Sequence, residues 1–341
     1  MKRRFGTGRR VGAILAFAMA LPTVGACGSS GAREIKPANI NEALAAARDG
    51  DVLVLGRGDY DNVVLKGRKF ARPLVIDASA ATFTGFRVLD SEGVTVRGGV
   101  FKLPAGAEAL SDGGRAISID RARGVRIERA TFIGPGATSY EPGGAYGEGT
   151  AVKVTTSTDV EVRGSVFRAF RRGVSFSKSE DFVIADNTFE WMRSDGINVA
   201  LSRKGRVENN HCKSTRVREK EHPDCIQLWS RPEAAPTADI VIRGNRAEGP
   251  TQGIGAFNHV RDGKDDGGYD RITIENNIIN VSRPNAITLV DGRDSVVRNN
   301  QVATLPGARW RAKIRVRGDV RTCGNTVGEW EGRSKQTERG C

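Results

Sequence analysis

The sequence predicts an all-β chain: a single-stranded right-handed parallel β-helix, a solenoid, with a short capping helix at its N-terminal end. Three observations carry this. Short apolar-alternating runs recur about every 22 residues, interrupted by insertions, and fixed-period repetition of this kind marks a solenoid. A second short apolar run follows the first in each repeat. An Asn then recurs at the turn: Asn187, Asn210, Asn245, Asn277, Asn300 and Asn325. Stacked Asn side chains hydrogen-bond up and down a solenoid as a ladder, and Asn tolerates the left-handed backbone of such turns. No helical period separates the runs, so leucine-rich repeats and βαβ folds fit poorly. A β-propeller needs a longer, four-stranded repeat. Abundant Gly (42 residues) with 6% aromatics suits a turn-rich β architecture.

Residues 1–26 read as a signal peptide. Lys2, Arg3, Arg4, Arg9 and Arg10 form its basic region, and residues 11–21 an apolar core too short to span a membrane comfortably. Val24-Gly25-Ala26-Cys27 resembles a bacterial lipobox, which implies cleavage before Cys27 and its lipidation; the alternative is ordinary cleavage after Ala26. Residues 27–37 read as a tether. Residues 38–48 read as a helix with Asn39 at its N-cap, and Val52–Leu55 as the first strand. One β-helix domain covers residues 38–330, with the chain from Gly318 onward an irregular cap and 331–341 a C-terminal tail.

The first run of each coil is Ala116–Ile119, Ala151–Val154, Gly173–Phe176, Gly196–Val199, Cys225–Leu228, Gly253–Ala256 and Ala286–Leu289. The second is Val125–Ile127, Val160–Val162, Phe182–Ile184, Gly205–Val207, Ile240–Ile242, Ile272–Ile274 and Ser295–Val297. Setting Cys27 aside leaves Cys212, Cys225, Cys323 and Cys341. Local pairing, Cys212 with Cys225 and Cys323 with Cys341, is the simplest of three connectivities; the alternative for Cys225 is a free, buried thiol. The first bridge would pin the loop leading into Asp224. No His/Cys cluster suggests zinc.

The chain carries a net charge of +13; residues 1–26 hold five basic residues and no acidic one, so their removal leaves +8. An exported basic protein suits an anionic polysaccharide or envelope surface. Nucleic acid fits poorly, because no recognisable binding module is present. A monomer is expected, touching membrane only through an N-terminal lipid.

Counting from the small residue that opens each first run, the second and fourth positions are aliphatic and should face inward. The position before the small residue reads Arg115, Thr150, Arg172, Asp195, Asp224, Gln252 and Asn285. Two positions after it stand Ser118, Lys153, Ser175, Asn198, Gln227, Gly255 and Thr288, and at the edge Trp229 and Phe257. These are expected to form one solvent-facing polar strip with Asp195 and Asp224 near its middle. Coils stack about 4.8 Å apart, so the carboxylates should be neighbours, and like charges that close raise one pKa. Two carboxyls across a glycosidic bond are the equipment for sugar hydrolysis. The alternatives are two solvated Asp or a cation site. Arg172, Asn198, Gln227, Trp229, Gln252, Phe257 and Lys153 would then bind substrate, and His222 and His259 are acid/base candidates. The largest insertions, at 134–149, 214–223, 230–238 and 258–270, border this strip and should build a cleft. No cofactor is expected; the acids of 258–270 leave calcium open, although they do not fit an EF-hand.

The opening helix followed by Gly50-Asp51, a strand and Gly58-Asp59-Tyr60 resembles the N-terminal cap of the pectin-lyase-like right-handed parallel β-helix superfamily. Asp195-Gly196-Ile197 and Asp224-Cys225-Ile226 resemble the "N-T-D-G" and "D-D-C-I" signatures of polygalacturonase-type glycosidases, with Thr251-Gln252-Gly253-Ile254 at the place of "G-H-G-I". That resemblance implies hydrolysis with Asp195 and Asp224 as the acid/base pair. Pro223 replaces one acid and Gln252 the His, and Ala312-Lys313-Ile314 only echoes "R-I-K", so a three-acid inverting site is not implied. Asn187-Thr188-Phe189-Glu190, with Arg203-Lys204 and Asn209-Asn210, is similar to the chondroitinase B and alginate lyase type. That likeness implies elimination on a uronate polysaccharide, with calcium or a cationic group at the uronate. A third class is a non-catalytic, lipid-tethered envelope protein that binds polysaccharide.

Overall fold

Pro37–Asn39 forms a single 3-10 turn and Ile40–Ala46 the only α-helix of the residues described. In this computed structural model those residues are 34–106, 114–135, 147–213, 221–231 and 235–327. The signal segment, Cys27 and Cys341 lie outside them. Asn39 holds the N-cap position as expected, yet its side chain makes no capping hydrogen bond. The helix ends instead on Arg68, whose guanidinium donates to the carbonyls of Leu44 at 3.1 Å and Ala47 at 2.6 Å. These are two of the orphan acceptors every helix C-terminus carries. Ile40 and Leu44 are buried and join the hydrophobic core.

The rest is parallel sheet. The first and second strands of the coils belong to one 19-stranded sheet, and a third, short strand per coil builds an 11-stranded sheet. Register holds from coil to coil: Ile117, Val152, Val174, Ile197, Ile226, Ile254, Ile287 and Ile314 pair in succession. All point into one continuous core. The third strands add a column the sequence reading did not pick out. Phe83, Phe101, Phe132, Phe167 and Phe189 stack with ring centroids 4.6–5.0 Å apart, as the coil spacing requires for offset aromatics. Cys212 pairs with Phe189 on the next coil.

The Asn ladder exists. Asn187, Asn210, Asn245, Asn277 and Asn300 each donate from Nδ2 to Oδ1 of the next Asn at 2.9–3.0 Å, ending on Asn325. The left-handed residue is the one before each ladder Asn: Asp186, Asn209, Gly244, Asn276, Asn299 and Gly324 all have φ between 54° and 67°. The ladder Asn thus serves as a buried hydrogen-bonding plug, and its neighbour turns the chain. A second ladder runs through Ser157, Ser179 and Ser202, each hydroxyl accepting a backbone N–H from the coil before. From Gly318 to Val327 the chain is not an irregular cap: strand Lys313–Cys323 pairs in parallel with Asn285–Arg298, and Thr326–Val327 with Gln301–Thr304.

One local departure from alternation positions the site. Gly173 and Val174, consecutive residues, donate their N–H groups to consecutive carbonyls of the next coil, Asp195 (3.1 Å) and Gly196 (3.0 Å). This bulge-like step lets the opening small residue and its successor both face inward, and keeps the residue before them outward. Space explains the small residue: a Cβ at Gly173 would lie 2.5 Å from both the Gly196 carbonyl oxygen and the Phe189 ring.

Candidate functional site

Residues Arg115, Thr150 and Arg172 stack in register, as do Asp224 and Gln252, and Asn285 and Lys313. Asp195 joins the column through its carbonyl bond from Gly173. The companion column runs Ser118, Lys153, Ser175, Asn198, Gln227, Gly255, Thr288 and Arg315. The expected strip is therefore assembled, but it is not solvent-facing at its centre. Asp195 is 2% exposed and Asp224 0%. Asp195 is covered by its hydrogen-bond partners: Asn198 Nδ2 donates to its Oδ2 at 3.1 Å and to Gln227 at 3.4 Å, and the Asp224 N–H points at its Oδ1 from 3.4 Å. Arg172 Nε stands 3.8 Å from Asp195 Oδ2.

Asp224 lacks such partners. Neither carboxylate oxygen makes a hydrogen bond, although both are buried. His222 Nδ1 stands 3.5 Å from Oδ2. The carboxylate fits only because position 255 is Gly: a Cβ there would lie 2.7 Å from Asp224 Oδ1 and 2.7 Å from the Phe257 ring. Gln252 Oε1 and Thr288 Oγ1 are likewise buried without partners. Buried polar atoms left unpaired are costly.

Burial, the largest effect, pushes the Asp224 pKa up to about 7; the His222 contact opposes it and the Asp195 charge adds to it. Asp195 is raised by burial, against the pull of Arg172 and Asn198. His222 is raised by its close contact with Asp224. Lys153, which donates to Ser175 Oγ at 3.2 Å, is lowered by burial and by the neighbouring cations Arg115 and Arg172.

Beside His222 opens a cleft of about 470 Å³. His222, Gln227, Trp229, Gln252, Phe257 and His259 line it, as does Asn285. Trp229 is 37% exposed, and the His259 ring lies parallel to Phe257 with centroids 6.4 Å apart. Most of the sequence-predicted residues thus meet here. Arg172, Lys153 and Asn198 lie along the strip beside it. His222 presents 59% of its side chain to solvent, so it, not the carboxylates, reaches the cleft.

Two features were missed. Arg193, itself 6% exposed, grips Glu221 through Nε and Nη2 at 2.7–3.2 Å and bonds Glu148. That clamp fixes the residue beside His222. Arg283 contributes a cation near Asp224. Cys212–Cys225 is a disulfide with Cα atoms 5.6 Å apart, which ties the Asp224 strand to the 11-stranded sheet. The pairing itself was the expected one, and a free Cys225 is ruled out. Cys323 is also disulfide-bonded, to a partner outside the described residues. Within 258–270, Asp265 accepts from Asn258 at 2.8 Å and from the Gly267 N–H at 2.7 Å. Among the described residues no group of three or more His, Cys, Asp or Glu is placed to hold a metal. No helix among them is long and apolar enough to cross a membrane.

Fold and site define a parallel β-helix protein with a polar cleft on one face of its coils. The sequence matches the family described as "Right handed beta helix region" over residues 115–302, and the chain belongs to that family. Solved structures similar to it include an alginate lyase from Paenibacillus sp. str. FPU-7 (17% identity, 84% of this chain and 97% of that one, TM-score 0.58). An endo-xylogalacturonan hydrolase from Aspergillus tubingensis is 12% identical over 85% of this chain and 88% of that one, TM-score 0.55. The surface protein and adhesin PfbA of Streptococcus pneumoniae is 12% identical over 85% and 93%, TM-score 0.53. At such identities the likeness concerns the fold. Among curated protein sequences none matches the chain.

Proposed function

We propose that the protein is an exported enzyme that cleaves glycosidic bonds in an anionic, uronate-containing polysaccharide, with His222 as the group that exchanges a proton with the sugar. The observation that carries this reading is His222, which lines an aromatic- and amide-lined cleft and sets its Nδ1 3.5 Å from the buried Asp224 Oδ2. With Nδ1 turned toward Asp224, the free nitrogen of the imidazole is Nε2, in a side chain that lines the cleft. Asp224, backed by Asp195, orients the ring and stabilises its charged form, the role a buried carboxylate plays behind a catalytic His.

The burial of the pair favours elimination over hydrolysis. Hydrolysis by paired carboxyls requires both to reach the sugar from opposite sides; Asp224, fully buried, does not. Elimination requires one base at the cleft and a cation at the uronate carboxylate. His222 supplies the first, and Arg172 and Arg283 stand near the Asp pair as candidates for the second. The base takes the proton beside the carboxylate, the carbon–oxygen bond to the next sugar breaks, and the leaving oxygen takes up a proton. Gln227, Gln252 and Asn198 would position hydroxyls, Trp229 and Phe257 a ring face, and Lys153 a further anionic group.

Export and lipid attachment at Cys27 belong to the same reading. They are supported by the sequence of residues 1–27 and by the buried disulfide, a bond that persists in oxidising compartments. The test is incubation of purified protein with alginate, polygalacturonate and chondroitin sulfate. Short-ultraviolet absorbance of an unsaturated uronate supports elimination. New reducing ends without it would restore the hydrolase assignment, and binding without cleavage would make the protein an adhesin-like binder.

A further inference from the structure

The cleft does not end at Asn285. It continues into a groove of about 720 Å³ between Ser282–Asn285 and Leu305–Trp310, and Gln252 and Asn285 line both. Trp310, 51% exposed, stands in its wall, with the Arg309 guanidinium 4.8 Å from the ring centroid. Arg283 lines it too, and none of the described lining residues is acidic. On the same face, the last coil places Lys313 and Arg315 in the two columns that carry Asp224 and Gln227 further up. The wall is preformed: Leu305 N–H bonds the Val281 carbonyl at 3.1 Å, Lys313 N–H the Pro284 carbonyl at 3.0 Å, and Ala312 N–H Thr304 Oγ1 at 2.9 Å. An exposed Trp is unusual in a chain with 6% aromatics. Fixed beside cations at the end of an open cleft, it matches what a sugar ring bearing an acidic group presents: an apolar face and an anion.

We propose that this groove is a second saccharide-binding site, which holds an anionic polysaccharide by stacking a sugar on Trp310 while Arg309 and Lys313 pair its acidic groups. The chain then runs from Trp229 past Gln252 and Asn285 to Trp310, so one molecule occupies both platforms. The ligand class rests on the function proposed above, but the site itself needs only binding, not cleavage. Because both platforms lie on one rigid face, losing one weakens long chains far more than short ones.

The test uses affinity electrophoresis of the full protein in gels containing alginate, polygalacturonate or, as a neutral control, dextran. Trp310→Ala and Arg309→Ala are compared with the wild type and with His222→Ala, and melting temperatures verify that the folds match. The expected result is retardation by an acidic polymer but not by dextran, retained in His222→Ala and weakened roughly tenfold or more in Trp310→Ala, the loss typical of an aromatic anchor. Unchanged retardation in both Trp310→Ala and Arg309→Ala overturns the inference while leaving the function above intact. Trp310-dependent retardation without any cleavage sustains the inference and removes the enzyme assignment. Wild type unretarded by every acidic polymer overturns the inference, as does a concentration-dependent dimer abolished by Trp310→Ala, which would give the groove to a second copy of the chain.

Discussion

His222 Nδ1 lies 3.5 Å from Asp224 Oδ2, an exposed imidazole set over a carboxylate that has no hydrogen bond of its own. Folding raises both pKa values, Asp224 from 3.8 to about 7 by burial and His222 upward by its partner. The native chain therefore holds protons that the unfolded chain releases. That contribution to stability is complete below about pH 4 and is lost as pH rises through 7. Asp224→Asn removes the buried charge. Its melting temperature relative to wild type should rise between pH 4.5 and pH 8, by an amount equivalent to about 1–4 kcal/mol. A difference that does not change with pH would mean Asp224 ionises freely in the native state.

Gly255 should not tolerate a methyl group. A Cβ would meet Asp224 Oδ1 and the Phe257 ring at 2.7 Å each, on a sheet whose backbone is fixed by neighbours on both sides. Gly255→Ala is expected to cost about 1–3 kcal/mol and to open the floor of the cleft. Thermal melts measure the first effect. Quenching of Trp229 fluorescence by an added small quencher measures the second; unaltered melting and quenching would show that the close approach is not needed.

The disulfide closes a loop of 13 residues whose end carries His222 and Asp224. Replacing both Cys212 and Cys225 by Ala should lower stability by about 2–4 kcal/mol. Turnover of long polymer should fall further than stability does, because the clamp of Arg193 on Glu221 then holds His222 alone. Denaturant titration and turnover measured on the same variant separate the two effects.

Cutting the Asn ladder at its middle tests the scaffold. Asn245 Oδ1 accepts from the N–H of Asn210 (2.9 Å) and from Asn210 Nδ2 (3.0 Å), and Asn245 donates to the Val207 carbonyl at 2.8 Å. Asn245→Leu leaves those buried groups unpaired, at about 1–3 kcal/mol each. A drop of several degrees in melting temperature is expected, and a change within one degree would contradict the buried-plug role.

The solenoid was legible because its determinants are local and repeated: the aliphatic pairs at Ile197/Val199 or Ile226/Leu228, and the ladder Asn. The Phe column was also written in the sequence, as Phe101, Phe132, Phe167 and Phe189 shortly after each turn, but three-residue strands carry too little alternation to stand out. The site's address followed from the coil phase of Asp195 and Asp224. Their burial did not. It depends on the vacancy at Gly255 for Asp224 and, for Asp195, on Asn198 folding over the carboxylate against Gln227. Those are contacts between coils 22 to 35 residues apart, which no local pattern encodes. Arg193 was missed for the same reason: its partners Glu148 and Glu221 come from two separate insertions.

The most direct test of the central claim follows ultraviolet absorbance during digestion of an acidic polysaccharide by wild type and by His222→Ala. The account predicts an absorbing, unsaturated product from wild type and a rate lower by about 10²–10⁴-fold in the variant, with polymer binding kept. Equal rates in the two proteins, or cleavage by both without the chromophore, would contradict it.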